Sequence, residues 1–308
     1  VTPRAPARRA PRPCPPRARA PLAAALSLAL ATGCAATGPS HKSTAFATAA
    51  PPADTATFVL WHFDENGGPR VNDSSPGRND GVAGPDTRTE FGRIAAARTF
   101  TRSIDSFVWS AYHPELESPN ALTVETWIRL DNVGTYEDTP IVGRWTPLSG
   151  EQSWLFSVAG RNVFGPSVAL PGPGDHASLV SGRDAASTTG HLMFAFQPRE
   201  ADEPHAYFSS SALVLGRWTH VAVTFDGRVV CFYVNNVLDS QYAVKGAIRP
   251  SPAPLLAGNA FDPRRLTIFG GDLHYDSVGD RNPYYALEAA LDELRISNVA
   301  RTDFPYAR

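Results

Sequence analysis

The sequence predicts an all-β protein folded as a two-sheet antiparallel sandwich, and three observations carry that prediction. Leu215 to Leu238 reads as a hairpin: Val221, Val223 and Phe225 alternate with Ala222 and Thr224, Asp226-Gly227 offers a turn, and Val229 to Val234 alternates back before Asn235-Asn236. Both faces of this hairpin are apolar, which suits strands central to a sheet. Elsewhere, short alternating segments are separated by Gly, Pro, Asn and Asp clusters. No long segment with a 3.6-residue period and no internal repeat interrupts them.

The front of the chain is a different material. Residues 1–33 hold six arginines, seven prolines and no acidic residue, followed by an apolar run from Leu22 to Ala31. A basic stretch, a short apolar run and small residues describe a secretory signal, and the run is too short to span a bilayer. Gly33-Cys34 sharpens this to a bacterial lipobox in which Cys34 becomes the lipid-modified N-terminus. Ala31 stands where such sites favour Leu, and ordinary cleavage near Ala31 or Ala36 is the alternative. Residues 34–57, rich in Ala, Thr and Pro, read as a disordered tether. One domain is expected over 58–304.

Within it, Phe58 to Phe63 is the first strand, followed by a polar loop to Thr89. Ala97 to Ser110 reads as a hairpin, His113 to Leu116 as a turn and Leu122 to Leu130 as a long strand. Ile141–Trp145, Ser153–Val158, Leu192–Gln197 and Ala206–Phe208 lead into the central hairpin. Val163 to Thr189 is a long Gly/Pro/Ser/Asp-rich insertion. Ile248 to Arg265, with Pro250, Pro252, Pro254 and Pro263, reads as loop; Leu266–Gly270 and Leu287–Ile296 close the sheet.

Five segments carry a family resemblance. They are Leu60-Trp61-His62-Phe63-Asp64-Glu65; Asp73 to Gly81; Ala121 to Ile128, with its LTVETW core; Gly216-Arg217-Trp218-Thr219-His220-Val221-Ala222 with Phe232-Tyr233-Val234-Asn235; and Leu291-Asp292-Glu293-Leu294-Arg295-Ile296-Ser297. In this order, over Phe58 to Phe304, they resemble laminin-G-like domains of the concanavalin A-like lectin/glucanase superfamily. The resemblance implies a jelly-roll sandwich. It also implies a structural calcium near the opening and closing strands, at the matching positions Asp64, Asp73, Asn79 and Asp292, with Asp80 in reserve. Calcium takes six to eight oxygens, which a turn-rich Asp/Asn loop can offer. Equally, Asp73 and Asn79 can simply cap turns.

Candidate ligand residues follow from chemistry. Pyranose rings present flat C–H faces that stack on exposed aromatics, while polar neighbours bond the hydroxyls. Tyr136, Arg144, Trp145, Trp154 and Arg161 form the candidate cluster, with Tyr275, Tyr284 and Tyr285 as a second group; the other reading packs these tryptophans in the sandwich. Trp61, Trp127 and Trp218 read as core. A retaining glucanase of this superfamily carries E-x-D-x-E on a strand, placing two carboxylates on one face. Glu200-Ala201-Asp202-Glu203-Pro204 misses that spacing between two prolines, and Glu125 is the sole acidic residue of its strand. No catalytic residues are assigned, and His220 reads as structural.

Past residue 33 the chain has 22 basic and 30 acidic residues, which argues against nucleic acid as a partner. With Cys14 in the leader and Cys34 lipidated, Cys231 is expected to be a buried, unpaired thiol. The sequence therefore points to a secreted, lipid-anchored, non-catalytic module that binds carbohydrate or glycosylated surfaces. The alternative is an envelope scaffold that binds protein; an enzyme with an unrecognised site comes third.

Overall fold

The computed structural model describes residues 53–133, 138–146, 150–160, 188–202, 204–269, 272–275 and 285–304. Cys34, Tyr136, Arg161, Tyr284 and nearly all of the Val163–Thr189 insertion lie outside them.

In chain order the strands are β1 (Thr57–Trp61), β2 (Arg70–Val71), β3 (Gly81–Ala83), β4 (Arg88–Phe91), β5 (Ala96–Phe100), β6 (Val108–Ser110), β7 (Leu122–Leu130), β8 (Thr139–Thr146) and β9 (Glu151–Val158). There follow β10 (His191–Phe196), β11 (His205–Ala212), β12 (Trp218–Phe225), β13 (Val229–Val234), β14 (Val237–Ala243), β15 (Leu255–Ala257), β16 (Leu266–Phe269), β17 (Asp272–Tyr275) and β18 (Ala289–Ser297). One sheet runs β14-β13-β12-β7-β18-β5-β4, with β1 also paired to β18; the other runs β11-β10-β9-β8-β15-β6-β3-β2. The two face each other as an antiparallel jelly-roll sandwich.

Alternation decides which side chains meet between the sheets. On β7, Leu122, Val124, Ile128 and Leu130 point inward, as do Val221, Val223 and Phe225 of β12 and Val230 and Phe232 of β13, against Trp154, Phe156, Phe194 and Phe196 of the facing sheet. The central hairpin has the expected register, Val221 opposite Val234 and Phe225 opposite Val230. Asn235 and Asn236 both take left-handed backbone, φ 51° and 61°, as the turn requires. The Asp226-Gly227 turn takes a third residue, Arg228, and the Asp226 carboxylate accepts the amides of Arg228 and Val229 at 2.8 and 2.7 Å.

Several expectations needed correction. The loop before Thr89 contains β2 and β3 and runs into β4, whose two to four residues are too short to show a period. The stretch expected as an Ala97–Ser110 hairpin instead crosses between sheets, β5 pairing with β18 and β6 with β15 and β3. The proline-rich loop contains β15, inserted between β8 and β6. Leu266–Phe269 does not close the main sheet but pairs with β17 as a separate two-stranded hairpin. Cys231 is buried as expected, but it is disulfide-bonded rather than unpaired, with its partner outside the described residues.

The outer face of the first sheet buries polar side chains beside apolar ones such as Trp127, Ala222, Cys231 and Tyr233. Glu125 on β7 is bound by Arg295 of β18, with the Nε contact at 2.6 Å, and lies 3.3 Å from Nε2 of His220 on β12. Trp127 meets His220 edge-on at 5.5 Å, and Phe304 covers His220 and Tyr233.

Candidate functional site

Along one edge, β18 pairs first with β5, through Ala289 to Leu291, and then with β1, through Leu294 to Ser297. Asp292 and Glu293 fall at the handover, where a bulge shifts the register against β7. The chain leaving β1 supplies His62, Phe63 and Asp64 to this junction, and the turn entering β5 supplies Ile94, Ala95 and Ala96.

The backbone here is strained. Among the described residues, six non-glycine positions have positive φ; two are the turn asparagines, and the other four are Phe63 (63°), Arg78 (49°), Ala95 (49°) and Glu293 (55°). Phe63, Ala95 and Glu293 sit in the junction and Arg78 lines the pocket beside it. Each such residue costs about 1–2 kcal/mol, and such outliers gather where function holds the backbone in place.

Side chains bind the junction together. Glu293 Oε2 pairs with His62 Nδ1 at 2.8 Å. Asp292 Oδ2 accepts the Ile94 amide at 2.7 Å, and Asp64 Oδ1 accepts the Ala96 amide at 2.9 Å. Gly92 is required by close approach: a Cβ there would lie 2.3 Å from the Ala96 carbonyl oxygen and 2.7 Å from Asp292 Oδ2. Asp292 is buried and its Oδ1 has no hydrogen-bond partner. Burial, together with the neighbouring Glu293 and Asp64 charges and against the Ile94 and Arg93 amides, pushes its carboxyl up to about 8. The Glu293 carboxylate raises His62 above its ordinary value, against a smaller effect of burial.

On the solvent side is an open cleft lined by Asp64, Asn66, Thr89, Glu90, Phe91 and the Ala95-Ala96 turn. Phe91 is 94% exposed at the end of β4, beside acceptor and amide groups. Sequence reasoning missed it because β4 is only four residues long and runs past the loop ending at Thr89 into residues to which the sequence assigned no element.

The sequence-derived cluster is placed differently. Arg144, Trp145 and Trp154 on β8 and β9 are 0, 2 and 0% exposed, so these aromatics pack the sandwich, the second of the two readings open to the sequence. Arg144 donates to the carbonyls of Leu116, Ser251 and Ala253 and to Glu117, tying β8 to two loops. Trp145 lies in an outer cluster with Leu155, Met193, Phe208 and Tyr285.

The four expected calcium ligands also separate. Asp73 receives the amides of Leu60, Ser75 and Asn79 and the Ser75 hydroxyl at 2.6–2.8 Å, which fills its carboxylate. Asn79 donates to the Phe58 carbonyl. Both act as turn organisers. Asp64 and Asp292 do share the junction. Among the described residues no group of three His, Cys, Asp or Glu is placed to hold a metal, so a cation there would need main-chain oxygens or water as well. The unpaired Oδ1 of Asp292, deep among carboxylates, is the donor that fits one. Glu200 and Asp202 lie between β10 and β11, while Glu203 is outside the described residues.

Residues 185–303 match the family model described as the concanavalin A-like lectin/glucanases superfamily. No curated protein matches the chain. Among solved structures, the binding domain of Paraclostridial mosquitocidal protein 1 superposes with a TM-score of 0.52 at 12% identity, over 80% of this chain and 49% of that one. Domain 4 of AbnA, an extracellular arabinanase from Geobacillus stearothermophilus, in complex with arabinotriose, superposes at 0.50 and 18% identity, over 79% and 93%. Botulinum neurotoxin type C superposes at 0.50 and 11%, over 80% and 48%. The chain thus spans about half the length of the toxin chains it matches, and identities this low establish a shared fold.

Proposed function

We propose that this protein is a non-catalytic carbohydrate-binding module, and that its ligand sits in the cleft beside the β1–β5 junction. The observation that carries the reading is Phe91, a fully presented aromatic ring next to Asp64, Asn66, Thr89 and Glu90 on a strained, rigid backbone. A sugar stacks on such a ring through its C–H face and bonds its hydroxyls to the adjacent carboxylates and amide. Two similarly folded proteins support a sugar ligand. The arabinanase domain was captured with arabinotriose, and cell entry of the type C neurotoxin depends on interaction with two ganglioside molecules.

Asp64 and Asp292 would hold calcium at the base of the cleft, where it would neutralise their charge and brace the junction. The leader and Cys34 would place the module on the cell envelope through a lipid, with residues 34–57 as spacer. A lipid thioether on Cys34 excludes that residue as the partner of Cys231, so mass analysis of the mature N-terminus decides between them. A protein-binding scaffold is the second reading, favoured by the exposed apolar residues Val214, Leu215 and Val237.

A glycan array run with calcium and with EDTA tests the proposal. Binding is expected, and Phe91→Ala should abolish it without changing thermal stability. Silence across the array moves the scaffold reading ahead. Binding that survives Phe91→Ala moves the site elsewhere.

A further inference from the structure

A second pocket opens at His62, two residues before Asp64 of the first cleft, against the Asp73–Asp80 loop. Its walls are Leu60, His62, Ser74, Ser75, Pro76 and Arg78. Its character is the reverse of the Phe91 cleft: it is lined by a guanidinium, an imidazole and two hydroxyls, with no carboxylate.

The loop that builds it is rigid. The Asp73 carboxylate sits inside the loop's own circle of amides, and the Asn79 side chain pins the loop to β1. The loop's other acid, Asp80, is committed to Arg70 at 3.0 Å and to the Asp73 amide at 2.9 Å. Arg78 is exposed and pairs with neither. Its backbone is left-handed at φ 49°, where glycine or asparagine is the ordinary choice. The adjacent Gly77 meets a different need, since a Cβ there would strike Asn79 Nδ2 at 2.8 Å. Arginine thus stands at a position whose backbone disfavours it, on a scaffold fixed from both sides. His62 lines the pocket and engages Glu293 through Nδ1, so Nε2 is the ring nitrogen not used in that pair. Ser74 is exposed, and its hydroxyl is not drawn into the loop as that of Ser75 is.

We propose that this pocket is a subsite for an anionic substituent, a sulfate ester or carboxylate, on the glycan bound in the adjoining cleft. Arg78 is the charge partner, and Ser74 and His62 are hydrogen-bonding neighbours. The proposal rests on the carbohydrate reading above. A planar guanidinium matches a carboxylate or sulfate with two parallel hydrogen bonds, which an ammonium cannot do. The protein's overall negative charge does not oppose this, because beyond about 8 Å physiological salt screens the distant carboxylates.

The test uses the full chain with four probes: a neutral oligosaccharide found on the array, its sulfated derivative, a uronate-containing oligosaccharide, and inorganic sulfate. The anionic forms should bind more tightly than the neutral parent, by roughly 10- to 100-fold. Arg78→Gly should erase that preference, leave neutral binding unchanged, and keep or raise the melting temperature because it relieves the left-handed strain. Arg78→Lys should keep only part of the preference. The sulfated and uronate arms show which anion the pocket takes. Equal binding of neutral and anionic forms, or a preference that survives Arg78→Gly, overturns the subsite and leaves the carbohydrate reading standing. If inorganic sulfate binds the wild type but not Arg78→Gly while no glycan depends on Phe91, the anion site stands and the carbohydrate reading falls. If nothing binds, both fall.

Discussion

Asp292→Asn tests the junction most directly. The carboxyl titrates near pH 8 when folded, against 3.8 for an ordinary Asp. A raised folded value means that stability is fully present below pH 4 and is lost as pH rises towards 8, because the unfolded chain ionises first. The full difference is on the order of 5 kcal/mol, of which about 4 kcal/mol falls between pH 5 and pH 9. For a domain of this size that lowers the melting temperature by about 10 °C over the interval. Asparagine keeps an acceptor for the Ile94 amide and cannot ionise, so the variant should lose the Asp292 share of the pH dependence and should exceed wild type at pH 9. His62 is also raised by Glu293, so its contribution is lost as pH climbs past its folded value. His62→Gln, which keeps a donor for Glu293, removes that part. Thermal unfolding from pH 5 to 9, with EDTA and with calcium, is the assay. Calcium should restore the wild type at pH 9 and leave Asp292→Asn unmoved. Parallel profiles for wild type and Asp292→Asn would refute the electrostatic account, and a calcium effect of equal size in both would remove Asp292 as a ligand.

Trp154→Ala should destabilise the fold by about 3–5 kcal/mol, read by denaturant midpoint, because the indole is wholly buried between the sheets. Glycan binding measured below the transition should be unchanged, and a selective loss of binding would return the β8–β9 aromatics to the site. Glu125→Gln removes the carboxylate charge from the buried Glu125–Arg295 pair and should cost about 3–5 kcal/mol. A glycan-cleaving activity that vanishes with Glu125→Gln while the fold persists would instead make the protein an enzyme.

The sandwich was legible because its long strands repeat a two-residue period over enough length to be seen. β7, β12, β13 and β18 each bury one alternating set between the sheets, and the Asn235-Asn236 turn announces its backbone through residue type. Strands β2, β3, β4 and β15 were hidden because two to four residues carry no period, and their pairing comes from partners far along the chain. The same limit governed the site. Aromatic identity pointed to Trp145 and Trp154, but only the packed sheets show that these rings are enclosed while Phe91, in an unremarkable stretch, stands in solvent. Asp64, Asp73, Asn79 and Asp292 fell on family positions, and the structure divides them between a self-satisfied loop and an acidic junction. Sequence by itself determined the sheet-forming pattern and the polar turns, since these depend on neighbouring residues. Tertiary structure decided exposure, carboxylate pairing and the strain at Phe63, Arg78, Ala95 and Glu293. The junction's share of those properties belongs to the meeting of β1, β5 and β18, where His62 and Glu293 pair across 231 residues of chain, and no local pattern encodes where they meet.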